Sequence, residues 1–325
     1  MKHHPIPNTD LAVSSLCYGV MRFGAKVKGG EMFDLFQVYC EAGGNFFDTA
    51  HGYAPWYPDG YGCSERALGD CLRKFGNRAE MVVGTKGGLP DSGPAYRRPA
   101  DCMTPEVIGS DISESLERLQ IDQIDLYTLH RDDLRHPVGE IIETLNAEIA
   151  RGRICFIGAS NWTFERMAEA NAYAASHRLH GFVVSSPQWN LGRPNHNPIG
   201  WDGQFDPTAH MMTDEDIAWH RKTQVAVIPW TPTAYGFFDG ATGRNPESFD
   251  NPENRLRRER VRQLAAELGA TPNQVAIAYL MAYDFPVFPI LGTTNMAHLT
   301  DSLGAASLTL TQDQRDWLLT GGVSN

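Results

Sequence analysis

The chain has 325 residues and an acidic balance, with 28 Lys+Arg against 39 Asp+Glu and a formal net charge of −11. Without basic clusters, and without an uncharged apolar run of roughly 18 residues, it is expected to bind neither nucleic acid nor a membrane. The six scattered cysteines without CxxC pairs, the eleven histidines without zinc-ligand spacing and the absence of an apolar signal core at the N-terminus favour a cytoplasmic protein without a metal.

Short apolar runs alternate with helical periodicity along the whole chain. A short N-terminal β-hairpin around residues 11–13 is expected to precede the main fold. The predicted strands are 14–21, 45–50, 81–86, 124–130, 154–159, 182–186, 225–230 and 285–291. The predicted helices are 31–42, 64–75 behind a serine cap, 104–119 behind a threonine cap, 138–151, 164–176, 214–223, 254–268 and 296–303.

Eight strands, each followed by a helix, predict an α/β fold of the (β/α)8 TIM-barrel type, with residues 1–325 in a single domain. A doubly wound open sheet is the alternative. Such a sheet usually carries a GxGxxG motif after its first strand, whereas here the first strand leads into Met21–Gly24. The barrel is therefore favoured.

The stretch Asn45–Tyr53 joins an apolar run, a carboxylate at its end and a phenol on the loop beyond. By itself the stretch also fits a purely structural role, in which Asp48 caps a helix and Tyr53 is a wall residue of a pocket. Active sites of these barrels form at the C-terminal ends of the strands. Six predicted strands end in polar or aromatic residues that would enter one pocket: Asp48, Lys86, His130, Ser160 with Asn161, Gln188 with Asn190, and Trp230 with Thr231.

Four of these side chains form a possible proton-transfer set. A tyrosine has a pKa of about 10, and the ammonium of Lys86 is expected to lower the pKa of Tyr53 by about 1–3. Asp48 would hold Lys86 in place, and His130 would donate a hydrogen bond to a substrate oxygen. The set lacks a strong nucleophile and suits proton donation to a carbonyl, for which a cofactor must supply the hydride.

Several motifs together carry a family resemblance. They are Phe47–Ala50 with Tyr53, Ser64–Glu65 with Leu68–Gly69, Gly84–Lys86, Ser115–Leu119 with Asp125–His130, Gly158–Asn161 and Pro289–Thr294. In this order and spacing they resemble the aldo-keto reductase superfamily over nearly the whole chain. The resemblance implies a (β/α)8 barrel that binds NADP(H) or NAD(H) in an extended form and interconverts a carbonyl and its alcohol.

The resemblance also implies a role for each matching residue. The catalytic residues would be Tyr53 as general acid, with Lys86, Asp48 and His130. The cofactor-binding residues would be Ser160, Asn161 and Gln188 at the carboxamide, Trp230 under the nicotinamide, Thr231, Thr233 and Gly236 near the pyrophosphate, Gly292, Thr294, Asn295 and His298 near the adenosine phosphate, and Asp301 and Ser302 at the adenosine end.

One segment departs from the family pattern. Members that prefer NADP(H) usually place Lys or Arg after the last strand, but residues 292–298 contain neither. Both NADP(H) and NAD(H) therefore remain open as cofactor. The oligomeric state also remains open.

The substrate residues are predicted from loop positions. The candidates are Trp56, Tyr57, Asp59, Trp162 and Trp201. Aromatic faces beside carboxylates suit a sugar-derived carbonyl, and the same aromatics would equally line a pocket for an apolar aldehyde.

Two alternatives to a reductase remain. One is a cofactor-binding regulatory subunit with little turnover, like the potassium-channel β subunits that share this barrel. The other is a barrel isomerase or lyase that forms a Schiff base through Lys86.

Overall fold

The N-terminal residues form a two-stranded antiparallel hairpin, as predicted. In this computed structural model, which describes residues 1–58, 60–90, 96–197, 200, 205–240 and 246–322, strand β1 (His3–Pro5) pairs with β2 (Ala12–Ser14). Ile6 and Val13 are buried in the same apolar cluster as Phe46, Val184 and other residues of the barrel interior. The hairpin therefore covers the N-terminal end of the barrel.

Eight parallel strands form one sheet, in which they follow one another in chain order and the last strand also pairs with the first. Val227 closes the ring, because its amide donates to Pro286 O (2.9 Å) and its carbonyl accepts from the amide of Phe288 (2.8 Å). The predicted (β/α)8 barrel is confirmed. Its strands are β3 (Cys17–Gly19), β4 (Phe46–Asp48), β5 (Val82–Gly87), β6 (Ile124–Leu129), β7 (Ile154–Ser160), β8 (Phe182–Ser186), β9 (Ala226–Val227) and β10 (Ile290–Leu291).

Helices surround the barrel, and a larger apolar cluster fills the layer between helices and sheet. Among the residues that the structure describes, no helix has both the length and the apolar composition needed to cross a membrane. The helices are α1 (Gly29–Glu41), α2 (Cys63–Phe75), α3 (Pro105–Leu119), α4 (Val138–Ala150), α5 (Phe164–His177), α6 (Asp214–Thr223), α7 (Pro252–Leu268), α8 (Pro272–Met281), α9 (Met296–Leu303) and α10 (Gln312–Thr320).

Of the two predicted helix caps one is confirmed and one is wrong, and two helices were not predicted. The threonine cap of α3 is confirmed, since Thr104 accepts a hydrogen bond from the amide of Val107. The serine cap of α2 is wrong: Gly62 is the cap residue, and the Ser64 hydroxyl donates to Val20 O (2.8 Å). Helices α8 and α10, which both begin at threonine capping boxes, were not predicted.

Candidate active site

The ammonium of Lys86 is the centre of the polar cluster at the C-terminal end of the barrel. Lys86 lies in β5 beside Asp48, the last residue of β4, and both side chains are buried. The Nζ atom of Lys86 is 2.5 and 2.6 Å from the two carboxylate oxygens of Asp48. It also donates to the hydroxyl of Tyr53 (2.9 Å) and to Thr49 O (3.2 Å). Asp48 therefore fixes the charge that faces the phenol.

Burial and charge act on the phenol in opposite directions. Burial raises the pKa of Tyr53 above its ordinary value, and the Lys86 ammonium lowers it by a smaller amount. Lys86 therefore lowers the pKa of Tyr53 as expected, but burial outweighs it and leaves the pKa above that of a free tyrosine. Burial alone would lower the pKa of Lys86, but Asp48 and Tyr53 raise it above its ordinary value. Lys86 stays protonated beside a phenol that keeps its proton.

The imidazole of His130 faces the same phenol. The ring centroids of Tyr53 and His130 are 5.5 Å apart, with an angle of 82° between the ring planes. Burial lowers the pKa of His130 well below its ordinary value, and the nearby cations Arg131 and Lys86 lower it further. The ring is therefore neutral, with one N–H to donate. Its Nδ1 atom is buried and has no hydrogen-bond partner in the described part of the chain.

The side-chain amides of Asn161 and Gln188 are buried where the neighbouring strands β7 and β8 end. The Ser160 hydroxyl donates to Ser186 O (2.8 Å), and the Asn161 amide donates to Ser160 Oγ (3.0 Å) and to His130 O (3.1 Å). Gln188 is fully buried, and neither its Oε1 nor its Nε2 has a partner among the described residues. Buried polar atoms are normally hydrogen-bonded. A free donor and acceptor on one amide fit a ligand that carries a carboxamide.

The loop after β9 has an unusual backbone. Thr231, Ala234, Tyr235 and Gly236 all have positive φ, at 55°, 49°, 57° and 87°. Non-glycine residues in this region are uncommon and concentrate at ligand sites. The loop is fixed from outside, because the Asn190 amide donates to Thr231 O (3.1 Å). Thr233 accepts from the amide of Gly236 through its carbonyl (2.9 Å).

The segment after β10 is more open. A Cβ atom at Gly292 would contact nothing within 4 Å. The Asn295 side chain caps α9 by accepting from the amide of His298 (3.1 Å). Thr294 is half-buried. This segment could therefore receive a ligand without displacing a described side chain.

The last two predicted cofactor residues are already engaged. Asp301 and Ser302 both accept hydrogen bonds from the side-chain amide of Asn273, at 2.7 and 2.9 Å. Asn273 belongs to α8, a helix that the sequence analysis missed. These two side chains join α9 to α8.

Comparison with known proteins identifies the family. The model of the Aldo/keto reductase family matches residues 15–318. The chain belongs to this family. It is 30% identical to an uncharacterized oxidoreductase, YrpG, of Bacillus subtilis (strain 168), over 96% of this chain and 93% of the relative. It is 28% identical to an aryl-alcohol dehydrogenase [NADP(+)] of Phanerodontia chrysosporium, over 96% and 83%. It is also 28% identical to a probable voltage-gated potassium channel subunit beta of Oryza sativa subsp. japonica, over 94% and 91%.

As an aldo/keto reductase, the protein is an oxidoreductase that interconverts a carbonyl and its alcohol with a nicotinamide dinucleotide. The unpaired Gln188 amide and the open segment after β10 fit such a cofactor.

The structure describes three of the five predicted substrate residues of this reductase. Trp56, 44% exposed, lies beside Tyr57 with 6.1 Å between ring centroids, in the loop after β4. Trp162 is buried, and its ring packs on Phe182 at 5.2 Å. Phe182 begins β8, at the end of the strand away from the active site, and the role of Trp162 as a substrate residue stays a prediction. Asp59 and Trp201 lie outside the described residues.

Arg131 is not among the site residues predicted from the sequence. In the reductase its guanidinium donates to His130 O (2.9 Å), to Thr208 Oγ1 (2.8 Å) and to Asp206 Oδ2 (3.1 Å). Arg131 therefore ties the loop after β8 to the residue that faces the phenol. Its position directly after His130 was the available signal.

Asp101, Asp133 and His136 bring potential metal-ligand atoms within 4.8 Å of one another, the one such group among the described residues. His136 Nε2 is 2.8 Å from Asp101, and Arg135 donates to Asp133. Ion pairing already explains this cluster.

Proposed function

We propose that this aldo/keto reductase reduces aromatic aldehydes or ketones and that Tyr53 is the proton donor. The contact that carries the proposal is the one between Lys86 Nζ and the Tyr53 hydroxyl, at 2.9 Å, with Asp48 behind the ammonium. A nicotinamide dinucleotide, when bound, would supply the hydride. Tyr53 gives its proton to the carbonyl oxygen, and Lys86 stabilises the phenolate that remains.

The neutral His130 orients the substrate. Its N–H donates to the carbonyl oxygen as negative charge develops there. A protonated ring would also donate, but it would add a second cation to a buried site. The intact set of Asp48, Tyr53, Lys86 and His130 supports an enzyme over a purely cofactor-binding subunit of channel-β type. It also supports proton transfer over Schiff-base chemistry, because Lys86 keeps its proton.

The cofactor would extend from the barrel centre to α9. Ser160, Asn161 and Gln188 would hold the carboxamide, with the ring of Trp230 against the nicotinamide. Thr231, Thr233 and Gly236 would approach the pyrophosphate, and Gly292, Thr294, Asn295 and His298 the adenosine phosphate. Because residues 292–298 lack a permanent cation, we propose that NADPH and NADH bind with similar affinity, within about tenfold.

Apolar side chains at the barrel mouth support an aromatic substrate. Trp56 (44% exposed), Leu134 (80%) and Phe205 (66%) are large hydrophobic side chains in the loops after β4, β6 and β8. Exposed apolar groups in the loops around a site favour an apolar ligand. The similarity to an aryl-alcohol dehydrogenase points the same way. We therefore favour an aryl carbonyl over a sugar-derived one.

The cellular location is part of the proposal. All six cysteines are free thiols in the structure. Free thiols suit a reducing compartment, which supports the cytoplasm.

The deciding experiment measures steady-state turnover with benzaldehyde, benzyl alcohol and glyceraldehyde, each with both cofactors, beside a fluorescence titration with NADPH and NADH. We expect turnover of benzaldehyde to exceed that of glyceraldehyde. Tight cofactor binding without turnover of any carbonyl would support the regulatory-subunit alternative instead.

A further inference from the structure

His51 is a fully buried histidine two residues before the proposed proton donor. Its amide donates to Lys86 O (2.8 Å), which extends the pairing of β4 with β5, and the amide of Tyr53 then donates to Ala50 O (3.2 Å). His51 therefore lies at the junction between the strand that carries the ammonium and the turn that carries the phenol.

Both ring nitrogens of His51 are engaged by other elements. Nδ1 is 2.9 Å from the hydroxyl of Tyr96, in the loop after β5. Nε2 is 3.1 Å from Glu114 Oε2 on α3, and 3.2 Å from the hydroxyl of Tyr61. The ring of His51 thereby links the loop after β5, through Tyr96, to α3, through Glu114.

The contacts of His51 continue into a network that reaches the residue before Lys86. The guanidinium of Arg118 donates to Glu114 (2.5 Å), to Glu65 (3.2 Å) and to the carbonyl of His51 (3.3 Å). Glu65 is fully buried and accepts from the hydroxyl of Thr85 (2.7 Å). One hydrogen-bonded chain thus joins the ends of the two strands that carry Asp48 and Lys86.

Tyr96 presses on the turn itself. A Cβ atom at Gly52 would lie 3.1 Å from Cζ of Tyr96 and 2.7 Å from Cδ2 of Leu89. The ring of Tyr96 therefore packs directly on the backbone between His51 and Tyr53. Only glycine allows this approach without displacing a neighbour.

We propose that His51 is a positioning residue: by binding Tyr96 and Glu114 it fixes the turn at Gly52 and so holds the Tyr53 hydroxyl against Lys86. The proposal rests on the proposed role of Tyr53. His51 itself touches neither Lys86 Nζ nor the Tyr53 hydroxyl, so it acts through the backbone. Its loss should change proton transfer while leaving the proposed cofactor residues on β7 to β10 in place.

The test compares His51→Phe, His51→Gln and Tyr96→Phe with His177→Phe, an exposed control on α5. For each purified variant the number of NADPH sites per chain, the NADPH dissociation constant, kcat and KM for benzaldehyde, and the pH profile of benzyl alcohol oxidation are measured. We expect His51→Phe to bind one NADPH with unchanged affinity and to lose about 10- to 100-fold in kcat, the cost of a displaced catalytic group.

The pH profile of benzyl alcohol oxidation distinguishes a displaced Tyr53 hydroxyl from a general loss of protein stability. Oxidation needs the Tyr53 phenolate, so a phenol that has moved away from Lys86 should require a higher pH. We expect this shift in His51→Phe, a smaller one in Tyr96→Phe, and partial recovery in His51→Gln, whose amide keeps a donor and an acceptor. The last two variants decide the matter if His51→Phe does not fold.

Two results overturn the inference. One is an unchanged kcat and pH profile in folded His51 and Tyr96 variants. The other is a loss of kcat that only matches a loss of NADPH sites, with no shift of the profile. A fully active Tyr53→Phe would instead remove the proposed function, whereas an inactive Tyr53→Phe beside active His51 variants removes this inference alone.

Discussion

Lys86 and Tyr53 share a 2.9 Å hydrogen bond in a site where burial alone would keep the phenol protonated far above neutral pH. The ammonium of Lys86 favours the phenolate form of Tyr53 over the phenol. The ammonium lowers the pKa of Tyr53 by less than burial raises it, and it is in place to stabilise the phenolate when the proton leaves.

Tyr53→Phe removes the proposed donor without changing the shape of the ring. We expect kcat for carbonyl reduction to fall by about 10²- to 10⁴-fold, with NADPH affinity unchanged in a fluorescence titration. Tyr173→Phe, at a half-buried site on the outer helix α5, is the matched control. Turnover close to that of the wild type would discard the assignment.

Lys86→Met leaves the buried Asp48 carboxylate without its partner. We expect the free energy of unfolding to fall by about 3–5 kcal/mol, as for other broken buried pairs, and alcohol oxidation to require a higher pH. Urea unfolding and a pH profile measure the two effects. Lys222→Met, on the exposed surface of α6, should change neither. An unshifted profile in Lys86→Met would contradict the role of the ammonium.

Gln188→Leu tests the unpaired buried amide. Since Gln188 makes no side-chain hydrogen bond within the described chain, leucine should not lower the free energy of unfolding. Cofactor binding should weaken by about 1–3 kcal/mol, the cost of an unpaired carboxamide in a buried site. Isothermal titration with NADPH and thermal unfolding measure the two. A less stable variant with full cofactor affinity would refute the assignment.

Thr294→Arg supplies the cation that the segment after β10 lacks. A charged hydrogen bond to the 2′-phosphate contributes about 1.5–3 kcal/mol. We therefore expect NADPH to bind at least about tenfold more tightly and NADH to bind as before. Thr223→Arg adds the same charge at a distant exposed site. Equal gains for both cofactors, or in both variants, would show that the phosphate lies elsewhere.

His220 predicts a loss of stability in mild acid. Its buried ring is bonded to Val225 O (2.8 Å), and burial lowers the pKa of His220 to about 4 from an ordinary value of 6.5. As pH falls from 6.5 to 4, the unfolded chain takes up a proton that the folded protein does not. The folded state should lose about 3 kcal/mol over this range.

Urea unfolding at pH 7 and pH 5 measures this effect. The buried His130 contributes in the same direction, so His220→Gln should reduce the pH dependence without removing it. An undiminished pH dependence in His220→Gln would assign the effect to other groups.

Much of the barrel could be predicted because apolar strands and capped helices leave local signals. The polar residues at strand ends followed from the same argument, since parallel strands of a barrel end on one face. The balance between burial and charge at Tyr53 could not be predicted, because it depends on how deeply the loop after β4 is covered. The burial of Trp162 could not be predicted either, because a tryptophan that follows a strand can line a pocket or pack in the core.

Long-range polar contacts were the other gap. The spacing of His51, Tyr96 and Glu114 along the chain does not predict their contacts. These contacts depend on how the barrel brings distant parts of the chain together. The hydrogen bond between Asp301 and Asn273 was missed because Asn273 lies on a helix that periodicity did not reveal.

The hairpin that covers the N-terminal end of the barrel has a kinetic consequence. With Ile6 and Val13 filling that end, ligands enter and leave through the opposite face. Whichever ligand lies deeper must arrive first and depart last, so product-inhibition patterns should show a compulsory order of exchange.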